Sequence, residues 1–128
     1  ARVLVIAAMG RARDLDPNDS FDDDAPSNQL GRILRDGPEV GIHVVSWFDR
    51  PAGIDKRLDR QQLSEFGQRL VGPLSRDDSN TLIDSDNAAG LKPGQGILAD
   101  LDRMTEHKLR KFTVPSVDCL AAFTGAVR

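Results

Sequence analysis

Gly41-Ile42-His43-Val44-Val45-Ser46-Trp47-Phe48-Asp49-Arg50-Pro51 is the stretch on which the fold turns. Its β-branched and aromatic residues between a glycine and a proline read as a strand followed by a turn. Val3-Leu4-Val5-Ile6 is a second such run, apolar at every position. A strand with no polar alternation is the kind that a parallel sheet buries on both faces. Between the two, Leu30, Ile33 and Leu34 fall at i, i+3, i+4 and mark a helix stopped by Gly37-Pro38. Strand, helix, strand predicts a parallel α/β unit.

Further along, Leu58, Leu63 and Phe66 suggest a short amphipathic helix. Arg69-Leu70-Val71 reads as a third strand, ended by Gly72-Pro73. Ser75-Arg76-Asp77-Asp78 has the form of a capping box, so a helix is expected through Thr81-Leu82-Ile83. Residues Gln95 to Ala99 and Leu109 to Val114 read as two late strands, a hairpin around Asp100-Leu101-Asp102. The expectation is one α/β domain over residues 1–128, its sheet mainly parallel with an antiparallel extension at one edge. No internal repeat is present.

Composition narrows the classes. The chain has 128 residues, 39% of them hydrophobic and 29% charged, which suits a globular domain. The apolar run from Val3 to Gly10 is far shorter than the roughly 20 residues that span a bilayer. The single cysteine, Cys119, excludes an internal disulfide and reads as a small hydrophobe. The chain opens at Ala1 and enters a strand at once, which reads as an excised piece of a longer protein.

Net charge is −3, and it is unevenly placed. Six aspartates, Asp14, Asp16, Asp19, Asp22, Asp23 and Asp24, lie in one stretch without a basic residue. Setting those six aside from 20 acids leaves 14 against 17 bases. The body is therefore mildly basic and carries an acidic loop over residues 14–26, read as solvated or as a docking segment. That loop lacks the glycine and glutamate spacing of a calcium loop.

Several motifs are absent or out of context. No G-x-x-x-x-G-K-[ST] and no G-x-S-x-G occur. Gly94-Gln95-Gly96 precedes a strand, not a helix, and reads as a turn rather than a nucleotide loop. His43 and His107 are the only histidines, with no metal-ligand spacing around them. His43 sits in a strand expected to be buried and reads as a core histidine. Asn18-Asp19-Ser20 fits a glycosylation sequon only formally. Asp49-Arg50-Pro51 stands apart. Ligands of open α/β sheets bind at the carboxyl ends of strands, so a carboxylate and a guanidinium there suit phosphate or water positioning. The plainer reading is a turn with a solvated arginine.

The Gly41 to Pro51 run and the later Ser75-Arg76-Asp77-Asp78-Ser79-Asn80-Thr81-Leu82-Ile83-Asp84, followed by the Gly94-Gln95-Gly96 turn, together resemble the FtsK/SpoIIIE family of DNA-translocating motor ATPases. The family pattern is a G-I-H strand leading to a polar residue, Arg and Pro, then S-x-x-D-S-x-x-(I/L)-(L/I)-D. The likeness covers almost the whole chain in order. It implies the C-terminal half of a RecA-like, P-loop-type three-layer motor core, with Val3 to Ile6 as the Walker B strand. That strand should end in acids that hold Mg²⁺ and polarise water. Ala7 and Ala8 stand there instead, which implies a degenerate, non-hydrolysing module kept for assembly or regulation. Asp49 falls at a polar sensor position, Arg50 follows it, and Arg69 resembles an arginine that acts on a neighbouring subunit. The resemblance implies ATP and Mg²⁺ for a parent protein with an intact upstream half, and neither for this chain alone. Partners would be the rest of that motor, identical subunits and double-stranded DNA, in the cytoplasm, with membrane attachment only through other domains. Two alternatives stand beside it. One is a non-enzymatic interaction module using the acidic loop or His107-Lys108-Leu109-Arg110-Lys111. The other is part of a type VII secretion-like ATPase that moves polypeptides, which the net acidity favours over DNA. An unrelated small enzyme ranks last, because no nucleophile–base pair can be assembled.

Overall fold

The structure is a computed structural model that describes residues 1–18 and 21–110. Eight regular elements follow in order: β1 (Arg2–Ile6), α1 (Pro26–Asp36), β2 (Ile42–Ser46), α2 (Arg60–Ser64), β3 (Gln68–Val71), α3 (Arg76–Ile83), β4 (Gln95–Asp100) and β5 (Thr105–Arg110). Short 3₁₀ turns lie at Met9–Arg11, Pro38–Val40, Pro51–Gly53 and Asn87–Gly90. The chain divides into two compact units, Ala1–Gly67 and a second that begins at Gln68.

In the first unit β1 and β2 pair in parallel, with Val3 opposite His43 and Val5 opposite Val45. This is the pairing expected for a strand–helix–strand crossover. α1 is the crossover. Pro26 opens it at the first position, where a missing N–H costs nothing. Leu30 and Leu34 are buried, each worth about 1.5–3 kcal/mol. Gly37 ends the helix in right-handed geometry (φ −57°), so conformational freedom is not why glycine stands there. A Cβ at Gly37 would lie 2.2 Å from the Ile33 carbonyl oxygen and 2.9 Å from that of Ile42. The Gly37 carbonyl meanwhile accepts from the amides of Val40 and Ile42. Gly41, at φ +75°, supplies the left-handed step into β2. α2 is closed by a capping box between Asp59 and Gln62. The Gln62 amide fills the space over Gly31 and donates to the Ser27 carbonyl at 2.8 Å, locking α2 to α1.

The expected burial of β1 is not found. Val3 and Val5 are each 59% exposed and Leu4 39%. Val3, Val5, His43 and Val45 share one face of the pair, and all four are exposed. His43 is therefore not a core histidine. Burial on both faces needs layers on both sides, and this pair is better covered only on the face of Ile6, Ile42, Val44 and Ser46.

The second unit is a three-stranded antiparallel sheet in the order β3-β4-β5 with α3 beside it. The third strand thus pairs antiparallel with β4, Leu70 opposite Leu98, instead of extending a parallel layer. The chain is α/β, with its strands in a parallel pair and an antiparallel trio. Ile97 and Ala99 of β4 are buried, and so are Leu82 and Ile83 of α3. β5 begins at Thr105, earlier than the apolar spacing suggested, and the hairpin turns at residues 101–104. Every residue of β5 is exposed, so no burial pattern marked it. The proposed continuation to Val114, Lys111 of the basic stretch, Cys119, Asp19 and Ser20 lie outside the described residues. Among the described residues no helix is long and apolar enough to cross a membrane.

Candidate functional site at the carboxyl end of the parallel pair

The loops that leave β1 and β2 meet. After Ile6 the chain turns through Ala7 and Ala8, and Ala8 is left-handed (φ 49°, ψ 54°), a costly conformation for a residue with a Cβ. The turn lets the Met9 amide donate to the Trp47 carbonyl at 2.9 Å, tying one loop to the other. Met9 is fully buried below the junction. The Phe48 ring packs across the loops, 3.7 Å from where a Cβ would stand on either Gly10 or Gly53. A Cβ at either position would meet the ring in ordinary van der Waals contact, so the packing does not require glycine there.

Arg57 fastens the junction. Its Nε donates to the Gly10 carbonyl at 3.2 Å, and its Nη1 donates to the carbonyls of Leu15 and Lys56. Asp16 closes on itself, accepting from the backbone and side-chain amides of Asn18, both at 2.9 Å. The Asn18 backbone bond, then its side-chain bond, hold the Asp16 carboxyl below its ordinary range, and the Arg57 charge adds to this. Above the junction Arg11 of the β1 loop meets Asp49 of the β2 loop at 3.6 Å, both largely exposed. Arg50 follows on the same loop, also exposed.

The structure therefore brings together four of the five residues singled out from the sequence: Ala7, Ala8, Asp49 and Arg50. It adds Arg11 and Arg57, which sequence reasoning passed over. Nothing in their spacing marks them, because each acts through backbone carbonyls or a partner distant in sequence. Arg69 lies in the second unit, on β3. Its Nη1 donates to the Leu82 carbonyl at 2.7 Å, at the C-terminal end of α3. Partial burial pushes its pKa down, and nearby Asp84 pulls the other way.

Ser75, Asp78, Ser79 and Asp84 of the Ser75 to Asp84 motif have structural roles. Ser75 caps α3 by accepting from the Asp78 amide at 3.1 Å, and its hydroxyl donates to the Asp78 carboxylate. Ser79 is fully buried, donates to the Ser85 carbonyl at 2.6 Å and accepts from the Ala88 amide at 3.1 Å. Asp84 closes the helix in a left-handed conformation. Each named residue builds the helix and its exit.

The donor set at the β1–β2 junction does not fit Mg²⁺. That ion takes oxygen ligands, usually including one or two carboxylates. Ala7 and Ala8 offer no side-chain oxygen, the exposed Asp49 faces Arg11 at 3.6 Å, and Asp16 accepts from the Asn18 side chain. Among the described residues no three His, Cys, Asp or Glu side chains are grouped to hold a metal.

Two further features lie elsewhere in the first unit. A polar cleft of about 290 Å³ opens between α1 and α2, lined by Arg32, Arg35, Asp59 and Glu65 among others. Its arginines are already engaged, Arg32 with the Asp23 carbonyl and Arg35 with Asp36. The acidic loop is pinned by α1: Asn28, Arg32 and Gln29 donate to the carbonyls of Asp22, Asp23 and Asp24. The three carboxyl-bearing residues stay exposed. No protein-family model matches the chain, and no curated protein matches it either.

Proposed function

We propose that residues 1–128 form part of an FtsK/SpoIIIE-like ATP-driven translocase, as a degenerate, non-hydrolysing motor module with an assembly or regulatory role. One observation carries the reading. A parallel strand–helix–strand unit brings the loops after β1 and β2 together at their carboxyl ends, where such sheets bind ligands. The β1 loop there presents Ala7 and Ala8 in place of carboxylates. Without a carboxylate, neither metal positioning nor water activation is provided at that point. The ordered motif resemblance supports the RecA-like assignment. ATP handling in the parent protein, assembly with identical subunits, and DNA or polypeptide as cargo follow from that reading.

The exposed face of Val3, Val5, Val45 and Trp47 favours a second reading, a protein-interaction module on the same fold. Sequencing the gene upstream of the Ala1 codon separates the two. The motor reading expects a G-x-x-x-x-G-K-[ST] followed by a helix. An upstream region without it gives the lead to the interaction module.

A further inference from the structure

We propose that the outer edge of β5 docks an extended acidic peptide, which joins the β3-β4-β5 sheet as a fourth strand. The proposal rests on the antiparallel sheet alone and needs neither the motor reading nor the Val3 face. β5 stands at one end of that sheet and, among the described residues, pairs only with β4. The register is continuous, from Thr105 opposite Asp100 to Arg110 opposite Gln95, without a bulge or a proline. Such an edge turns a row of N–H and C=O groups outward, the template that strand addition uses. All six residues of β5 are exposed. Their side chains define what the added strand must carry. Lys108, opposite Ile97, and Arg110 share the face on which Ile97 and Ala99 are buried. Neither cation forms an ion pair with a described residue. Glu106, the only acid in β5, is engaged within the unit: the Ser85 hydroxyl and the Asn87 side-chain amide each donate to one of its carboxylate oxygens. The edge is therefore basic, and Lys111 follows it in sequence. The opposite face carries Thr105, His107 and Leu109. Leu109 lies opposite Gly96, and Leu70, 68% exposed, comes within 3.7 Å of where a Cβ would stand on that glycine. Leu98, opposite both Leu70 and His107, continues this apolar side. Cations and apolar positions thus alternate along β5. The strand that fits sets acids beside Lys108 and Arg110 and apolar residues beside Leu109. The same two cations keep apolar and basic strands off the edge, as charges on natural edge strands do.

The test is fluorescence anisotropy of a labelled peptide of alternating Glu and Val titrated with the whole protein, with amide hydrogen exchange read in parallel. Saturable binding is expected, with slower exchange of the amides of residues 105–110 when the peptide is present. The same peptide N-methylated throughout keeps its charge but cannot pair as a strand, and should bind more than about tenfold more weakly. Lys108→Gln combined with Arg110→Gln should weaken binding of the unmodified peptide roughly threefold to tenfold, the loss of two exposed charge contacts. Both residues are exposed, so the double variant leaves the core intact. Duplex DNA should not displace the peptide. No saturable binding, equal binding of the N-methylated peptide, or unchanged exchange at residues 105–110 overturns the proposal. Displacement by duplex DNA assigns the basic edge to nucleic acid and also overturns it. So does a dimer through β5 that the peptide fails to disperse, since a second copy is then the occupant. None of these outcomes bears on the motor reading, which the upstream sequence decides.

Discussion

Ser79 is a polar side chain without exposed surface, and both of its hydrogen-bonding capacities are used. Its hydroxyl joins α3 to the Ser85–Ala88 segment. Ser79→Ala leaves the Ala88 amide and the Ser85 carbonyl without that partner. The expected loss is about 1–3 kcal/mol in urea denaturation. Gly37→Ala acts by a different route. The added methyl meets two carbonyl oxygens at 2.2 and 2.9 Å, both belonging to backbone that cannot step aside. Destabilisation above about 3 kcal/mol is expected, more than an ordinary helix-end substitution costs. Arg69 separates two roles. Its bond to the Leu82 carbonyl predicts a thermal shift for Arg69→Ala even in residues 1–128 alone. If Arg69 also acts on a neighbouring subunit, the same substitution lowers ATP turnover by the assembled parent while nucleotide affinity is kept. Unchanged turnover removes that second role and leaves the structural one.

At the scale of elements, β1 carries apolar side chains on both faces and finds cover on only part of one. Val5→Lys is therefore expected to be nearly neutral, within about 0.5 kcal/mol, in residues 1–128 alone. In a longer motor protein of the kind proposed, where that face would be covered, it should cost several times more. Paired thermal melts of the two proteins check this. The sequence announces elements that bury a periodic stripe or carry a cap. α1 follows from Leu30, Ile33 and Leu34, and α3 from Ser75 and Asp78. β1 and β2 are legible from their apolar runs, and so is their parallel pairing. β5 is not, because Thr105-Glu106-His107-Lys108 buries nothing and is held by pairing with β4. The antiparallel partnership of β3 is hidden for a related reason: a four-residue strand carries too little pattern to specify its neighbour. At the candidate site, Asp49 and Arg50 are visible as charges just past a strand. Arg11 and Arg57 become visible only when the loops are folded together.

The whole molecule presents a parallel pair whose strands have only each other as partners among the described residues. Isolated two-stranded sheets are at best marginal in water, and parallel strands in α/β proteins are covered on both faces. If residues 1–128 are part of an FtsK/SpoIIIE-like motor, as proposed, β1 is an interior strand of a larger α/β sheet in that motor. Amide hydrogen exchange tests it most directly, comparing Val3 to Ile6 in the full-length protein with the same residues in 1–128 alone. The account predicts that these amides are strongly protected in the full-length protein and exchange much faster in the shorter chain. Equal, rapid exchange in both would contradict it, since β1 would then be an exposed strand in the whole protein too.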